Sequence, residues 1–362
     1  MQTNPIFDEL RSYSEKFGVL LEVLSKQDSE FDESYSEREV ILKKNKLTLY
    51  HYLATSKKTE QKHLQKKSKT PVLIVYALVN RPTILDLEEK RSAIAKMLEH
   101  GQDVYLIDWG YPDKFDSQLG LDHYINDQLH HCIKTICQNH SIQSLNLLGV
   151  CQGGTLSLCY SSLHPDFVKN LITMVTPVDF HTKDDTLSQW VRHVDIDLMV
   201  STLGNIPGSI LSNAFLSLKP FQLQLKKYLD LIESTALTED NSDRLSNFLL
   251  MERWIFDCPD QAGEAFRQYV QGCYQNNQLV KGELSIAGKA VNLEKLQMPI
   301  LNVYADQDHI VPPQASRGLN GLTSSADYQE ISVSGGHIGI FVSPKSIQRI
   351  FPAVCSWFDE RD

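Results

Sequence analysis

The stretch Gly149-Val150-Cys151-Gln152-Gly153-Gly154 sets a cysteine between glycines at the spacing G-x-nucleophile-x-G. An apolar run, Leu145-Asn146-Leu147-Leu148, precedes it, and a helix-like segment follows from Gly153. In that frame the nucleophile occupies a tight, strained strand-to-helix turn, with no room for side chains on either side of it. The turn lifts the sulfur above a sheet, and the positive end of the following helix favours its thiolate. The expected chemistry is covalent: the sulfur attacks an activated carbonyl and holds the acyl group. The other six cysteines (Cys132, Cys137, Cys159, Cys258, Cys273 and Cys355) lack such a frame and are expected in the core or at the surface.

A nucleophile of this kind needs a base and a carboxylate to orient it, in the chain order nucleophile, acid, histidine. Asp306-Gln307-Asp308-His309-Ile310-Val311-Pro312 follows a strand-like run at 299–304 and supplies the acid. Asp308 is assigned, because an acid shortly before Val-Pro suits a strand-end loop; Asp306 is expected to shape that loop. His337, in Gly335-Gly336-His337-Ile338-Gly339, has flanking glycines that let an imidazole swing in from a loop, and it is the expected base. His309 is equally compatible with lining the substrate and with a plain loop position. For the oxyanion of a tetrahedral intermediate, one donor is expected from the backbone N–H of Gln152. The other is expected from Val79 or Asn80 in the loop after the first core strand, and the sequence leaves that choice open. No HExxH, H-x-E or paired Cys/His spacing suggests a metal, and no GxGxxG or P-loop suggests a nucleotide cofactor.

These residues must be positioned by a regular scaffold. Residues 38–54 read as two short strands with a turn at Lys44-Asn45-Lys46. The apolar run 71–79 reads as a strand covered on both faces and 104–107 as a buried strand; 145–148, 171–175, 299–304 and 328–333 read as further strands. Helix-like segments are expected at 83–100, 121–136, from 153 onward and at 345–358. The alternation points to an α/β fold, a mostly parallel sheet with helices on both faces. The rhythm stops between about 180 and 292. The expected division is therefore an N-terminal segment 1–37, a catalytic core of 38–180 and 293–362, and an inserted helical lid at 181–292 above the strand ends. The basic stretch 57–70 is expected to be a solvated loop.

The chain has 362 residues and a formal net charge of −10, which argues against a nucleic-acid footprint. No apolar run reaches the roughly 20 residues that a membrane helix needs. Seven cysteines without a CxxC pair fit a reducing, cytoplasmic compartment.

Beyond the elbow, separated motifs recur along 38–358: Tyr76-Ala-Leu-Val-Asn-Arg-Pro82, Leu85-Asp-Leu87, Asp108-Trp-Gly110, the elbow itself, Glu252-Arg-Trp-Ile-Phe-Asp-Cys-Pro-Asp-Gln-Ala-Gly-Glu-Ala-Phe-Arg267, Lys281-Gly-Glu-Leu284, Asp308-His-Ile-Val-Pro312 and Gly335-Gly-His-Ile-Gly339. Together they resemble the polyhydroxyalkanoate (PHA) synthases, in particular their two-subunit class III, within the α/β-hydrolase superfamily. The resemblance implies a (R)-3-hydroxyacyl-CoA substrate, a Cys151 acyl-enzyme, a growing polyester chain and release of CoA. It further implies an accessory subunit of the PhaE type, a homodimer, and work at the surface of polyester granules. Val150 and Gln152 around the nucleophile resemble class III rather than the short type that carries tyrosine and methionine there. A cytosolic thioesterase or dienelactone-hydrolase-like enzyme shares every feature of the triad and is the competing reading. A non-catalytic binding protein on the same fold is the third.

Overall fold

Six of the eight sheet strands are runs dominated by apolar or β-branched residues, and burial on both faces explains why most of these show little alternation. The computed structural model describes residues 34–54, 70–234 and 242–362. The expectations for 57–69, and for most of 1–37, lie outside the described residues. In chain order the strands are β1 (Arg38–Lys44), β2 (Leu47–Tyr52), β3 (Val72–Val75), β4 (Val104–Asp108), β5 (Leu145–Val150), β6 (Val168–Met174), β7 (Ile300–Ala305) and β8 (Tyr328–Val333). They form one sheet ordered β1-β2-β4-β3-β5-β6-β7-β8. The first two pairings, β1 with β2 and β2 with β4, are antiparallel; every later one is parallel. The β1–β2 turn passes through Asn45 at φ 55°, a left-handed conformation that asparagine tolerates better than most side chains.

Alternate residues of the central strands feed two apolar layers. Leu73 and Val75 face one of them with Leu147, packed by Ile125, Ile133 and Leu158. Val72 and Ile74 face the other with Leu148, packed by Ile94, Phe351 and Phe358. The helices concerned are α1 (Ala93–Glu99), the wide turns His123–Leu129 running into α2 (His130–His140), α3 (Gln152–Leu163) and the C-terminal helix Pro344–Asp359.

The helix expected over 83–100 is the main correction. Only Ala93–Glu99 is α-helical; Pro82–Leu85 is a 3-10 turn, followed by a small hairpin, Asp86–Glu88 with Arg91–Ser92. The buried carboxylate of Asp86 explains this. It accepts hydrogen bonds from the Ser36 N–H at 2.8 Å and from the hydroxyls of Ser36 at 2.9 Å and Ser92 at 2.5 Å. Those bonds hold the chain extended until Ser92 caps the helix by accepting from Ala95 N–H at 2.7 Å.

Between β6 and β7 the described chain contributes no strand to the main sheet. It forms helices at Thr186–Val191, Ile196–Leu203, Gly208–Ser217, Lys227–Ser234, Ser242–Phe256 and Gly263–Tyr269, and a hairpin of Ser285–Ile286 with Lys289–Ala290. Among the described residues no helix is long and apolar enough to cross a membrane.

The α3 helix lies so close to the sheet that its first turn has no room for side chains. A Cβ on Gly153 would lie 2.2 Å from the Val75 carbonyl oxygen, and one on Gly154 would lie 1.8 Å from the Thr176 hydroxyl. Replacing either glycine by alanine is expected to destabilise the protein by about 1–3 kcal/mol. Gly153→Ala should be the worse, because its obstacle is backbone. Urea unfolding of the two variants checks the order; equal, negligible losses would contradict this packing.

Candidate active site

Cys151 joins β5 to α3 with φ 53° and ψ −126°, a conformation that a side-chain-bearing residue adopts only when its surroundings enforce it. The enforcement is visible. Cys151 N–H donates to the Met174 carbonyl at 2.9 Å, and Gly154 N–H donates back to the Cys151 carbonyl at 2.9 Å. Gly149 closes the turn, since a Cβ there would lie 2.4 Å from the Gly154 Cα. The thiol is half-buried.

Two loops at the same edge of the sheet bring the polar partners. Asp308 follows β7 and His337 follows β8, and the two strands are adjacent and parallel. His337 Nδ1 lies 2.7 Å from Asp308 Oδ2. The other carboxylate oxygen accepts from the N–H groups of Ile310 and Val311, each at 2.9 Å, and the Asp308 side chain is wholly shut off from solvent. Burial pulls the His337 pKa down, but the charges of Asp308 and of the Cys151 sulfur, with their hydrogen bonds, outweigh it and raise it to about 10. Cys151, Asp308 and His337 therefore meet in one place.

Asp306 takes a different position. It is exposed, and its Oδ1 accepts from Gly335 N–H at 2.9 Å, while Gln307 N–H donates to the Gly335 carbonyl at 2.9 Å. It ties the acid loop to the histidine loop. His309 lines the cavity above the nucleophile. Burial first, and then the nearby Lys219, lower its pKa below the ordinary histidine value.

The cavity has a volume of about 540 Å³ and contains Cys151 and His337 at its base, with Val79, Asn80 and Gln152 in its wall. Apolar side chains of the inserted segment roof it, among them Met199, Ile210, Phe215, Leu223 and Met251. Val79 and Asn80, the two residues expected to offer the second oxyanion donor, both lie in that wall, and the Asn80 N–H interacts with the Cys258 sulfur. The Asn80 side-chain amide donates to the carbonyls of Trp254 at 3.3 Å and Ile255 at 3.4 Å.

Sequence reasoning singled out 252–267 without assigning its residues roles. Trp254 Nε1 donates to the Arg81 carbonyl at 2.7 Å, and Tyr111 OH donates to Asp257 at 2.6 Å. This stretch clasps the inserted segment onto the loop beside the nucleophile. The buried Tyr76 was likewise given no individual role. Burial raises its hydroxyl pKa, and the Cys151 and Cys258 sulfurs near it raise it further.

Comparison with known proteins bears on what this geometry serves. A family model described as the alpha/beta hydrolase fold matches residues 70–344. The poly(3-hydroxyalkanoate) polymerase subunit PhaC of Thiocystis violacea is 48% identical over 361 residues, covering 100% of this chain and 98% of that protein. The subunit of the same name from Allochromatium vinosum is also 48% identical, covering 100% and 99%. Among solved structures, the monoacylglycerol lipase of Paleococcus ferrophilus superposes with a TM-score of 0.53 at 15% identity, covering 81% of this chain and 96% of the other. That likeness speaks for the fold alone. Near-half identity along the whole length is a far narrower match, and the chain belongs to the poly(3-hydroxyalkanoate) polymerase PhaC family on an α/β-hydrolase fold.

Proposed function

We propose that this chain polymerises (R)-3-hydroxyacyl-CoA, 3-hydroxybutyryl-CoA foremost, through a thioester on Cys151. The observation that carries the reading is full-length identity of 48% to PHA polymerase subunits in a chain whose elbow nucleophile is a cysteine facing an apolar chamber. Sulfur suits the task. Exchange of an acyl group between two thiols is nearly isoenergetic, so the enzyme thioester keeps the donor strength needed to make an ester.

In this mechanism His337 takes the proton of Cys151, and the thiolate attacks the CoA thioester. The backbone N–H of Gln152 stands outside the ladder of its own helix. With Val79 N–H it receives the oxyanion, and CoA leaves as the carbonyl re-forms, its sulfur taking the proton back from His337. A 3-hydroxyl then attacks the Cys151 thioester, its proton passing to His337, and the thiolate is released. Asp308 orients His337 rather than meeting the hydroxyl, because its oxygens already accept from His337, Ile310 and Val311. His309 lines the acyl path. The segment 181–292 acts as a lid that admits the CoA donor and the lengthening chain. An accessory subunit of the PhaE type and a second copy of the chain complete the working assembly, at the surface of the polyester granule. Exposed Trp190, Leu198, Phe221 and Phe256 on the inserted segment support such contacts.

With 3-hydroxybutyryl-CoA, the wild-type chain should release CoA into high-molecular-mass polyester; free hydroxy acid as the product would favour the hydrolase reading. Cys151→Ala should lose several orders of magnitude in CoA release with the fold intact, and Cys151→Ser should be severely impaired. Asp308→Asn should cost far more turnover than Asp306→Asn; the reverse order would overturn the acid assignment.

His337 gives a pH test. Its folded pKa lies above the ordinary value of about 6.5. The stability it contributes is therefore complete below that value and disappears as pH rises through about 10. In Asp308→Asn, burial is opposed by the Cys151 sulfur alone, and the imidazole should titrate well below its wild-type value. Ring-nitrogen NMR of both forms reads this directly, and titration near 6.5 in the wild type would contradict it.

Specific activity should rise, and any lag shorten, as companion subunit is added to a fixed amount of the chain. Full activity of the purified chain alone would remove the two-subunit assignment.

A further inference from the structure

The loop that follows β3 is fastened at three points, and one fastening comes from the residue beside the nucleophile. Trp109 Nε1 donates to the Tyr76 carbonyl at 2.9 Å. Asn80, at φ 57°, is held from the other end by the Trp254 and Ile255 carbonyls. Between them, Leu78 N–H donates to the side-chain carbonyl of Gln152 at 3.0 Å, in a site where both residues are buried. The peptide immediately after that bond carries the N–H of Val79.

We infer that the Gln152 side chain is a positioning residue for acyl transfer: by anchoring the Leu78 N–H it aims the Val79 N–H at the oxyanion. This rests on the acyl-transfer reading above and adds to it. As the first residue of α3, Gln152 offers its own N–H to the same oxygen. One residue thus supplies one donor through its backbone and sets the other through its side chain. The angular tolerance of an oxyanion site is small, so a loop free to rotate about Leu78 would weaken the site without emptying it. In this chain the acceptor is uncharged, at the end of a three-bond reach, next to a sulfur that must ionise. Methionine matches glutamine in length, but its thioether is a poor acceptor.

Gln152→Met is therefore the informative variant. Attack on a thioester builds an oxyanion, whereas alkylation by iodoacetamide displaces iodide from carbon and builds none. An aryl thioester should acylate Cys151 of the variant about 10- to 100-fold more slowly than in wild type. A trifluoromethyl ketone, which forms a tetrahedral adduct, should bind more weakly by a similar factor. Iodoacetamide should alkylate the variant within about twofold of the wild-type rate. Acylation within about threefold of wild type would overturn the proposal. So would equal losses in acylation and alkylation, the mark of a deformed elbow. An aryl thioester acylates the thiol whether or not the chain polymerises, so failure of the polymerase reading leaves the comparison readable. No adduct on wild-type Cys151 would overturn the nucleophile assignment and this inference together.

Discussion

The close approach of α3 to the sheet is the constraint on which the site depends. A positive φ at a cysteine costs about 1–3 kcal/mol and persists only where its surroundings over-determine it. Here they do so through contact: Gly149 against Gly154, Gly153 against the end of β3, and Gly154 against Thr176 just past β6. The helix is pressed onto three strands at once, and the sulfur is left in the one direction still open. Each of those strands also leads into the site. The chain leaving β3 becomes the loop proposed to hold the oxyanion, β5 carries Cys151, and the chain leaving β6 enters the segment that roofs the cavity.

The second organising interaction is electrostatic. A buried imidazole would ordinarily be neutral, because desolvation disfavours its charge. Asp308 reverses that, and its own charge is tolerable only because two backbone N–H groups and the imidazole share it. The parallel pairing of β7 with β8 makes this possible, since parallel neighbours end at the same edge of a sheet. Asp306 secures the arrangement from outside by holding Gly335, two residues before the histidine.

Much of this was legible in the sequence where a residue's identity is dictated by local geometry. The elbow glycines, the loop carrying Asp308 and the glycine-flanked His337 each announce a backbone requirement, and continuous apolar runs announce strands buried on both faces. The failure at 83–100 has a different origin. Apolar residues at helical spacing were present, but Asp86 found partners in Ser92 and in Ser36, the latter 50 residues away and beyond the reach of periodicity. The bond from Leu78 to the Gln152 side chain likewise joins positions that only the fold brings together.

On the proposed mechanism, the apolar roof over Cys151 sets a limit on product size. Each time the acyl-enzyme forms, water and a hydroxyl compete for it, and the mean number of additions before a chain is lost cannot exceed the ratio of those two rates. On that arithmetic every 1.4 kcal/mol by which the chamber disfavours water raises that ceiling tenfold. Molecular mass would then be written in the walls of the cavity rather than in the triad, and a polar substitution at Met199 or Phe215 would shorten chains while leaving the rate of CoA release almost untouched.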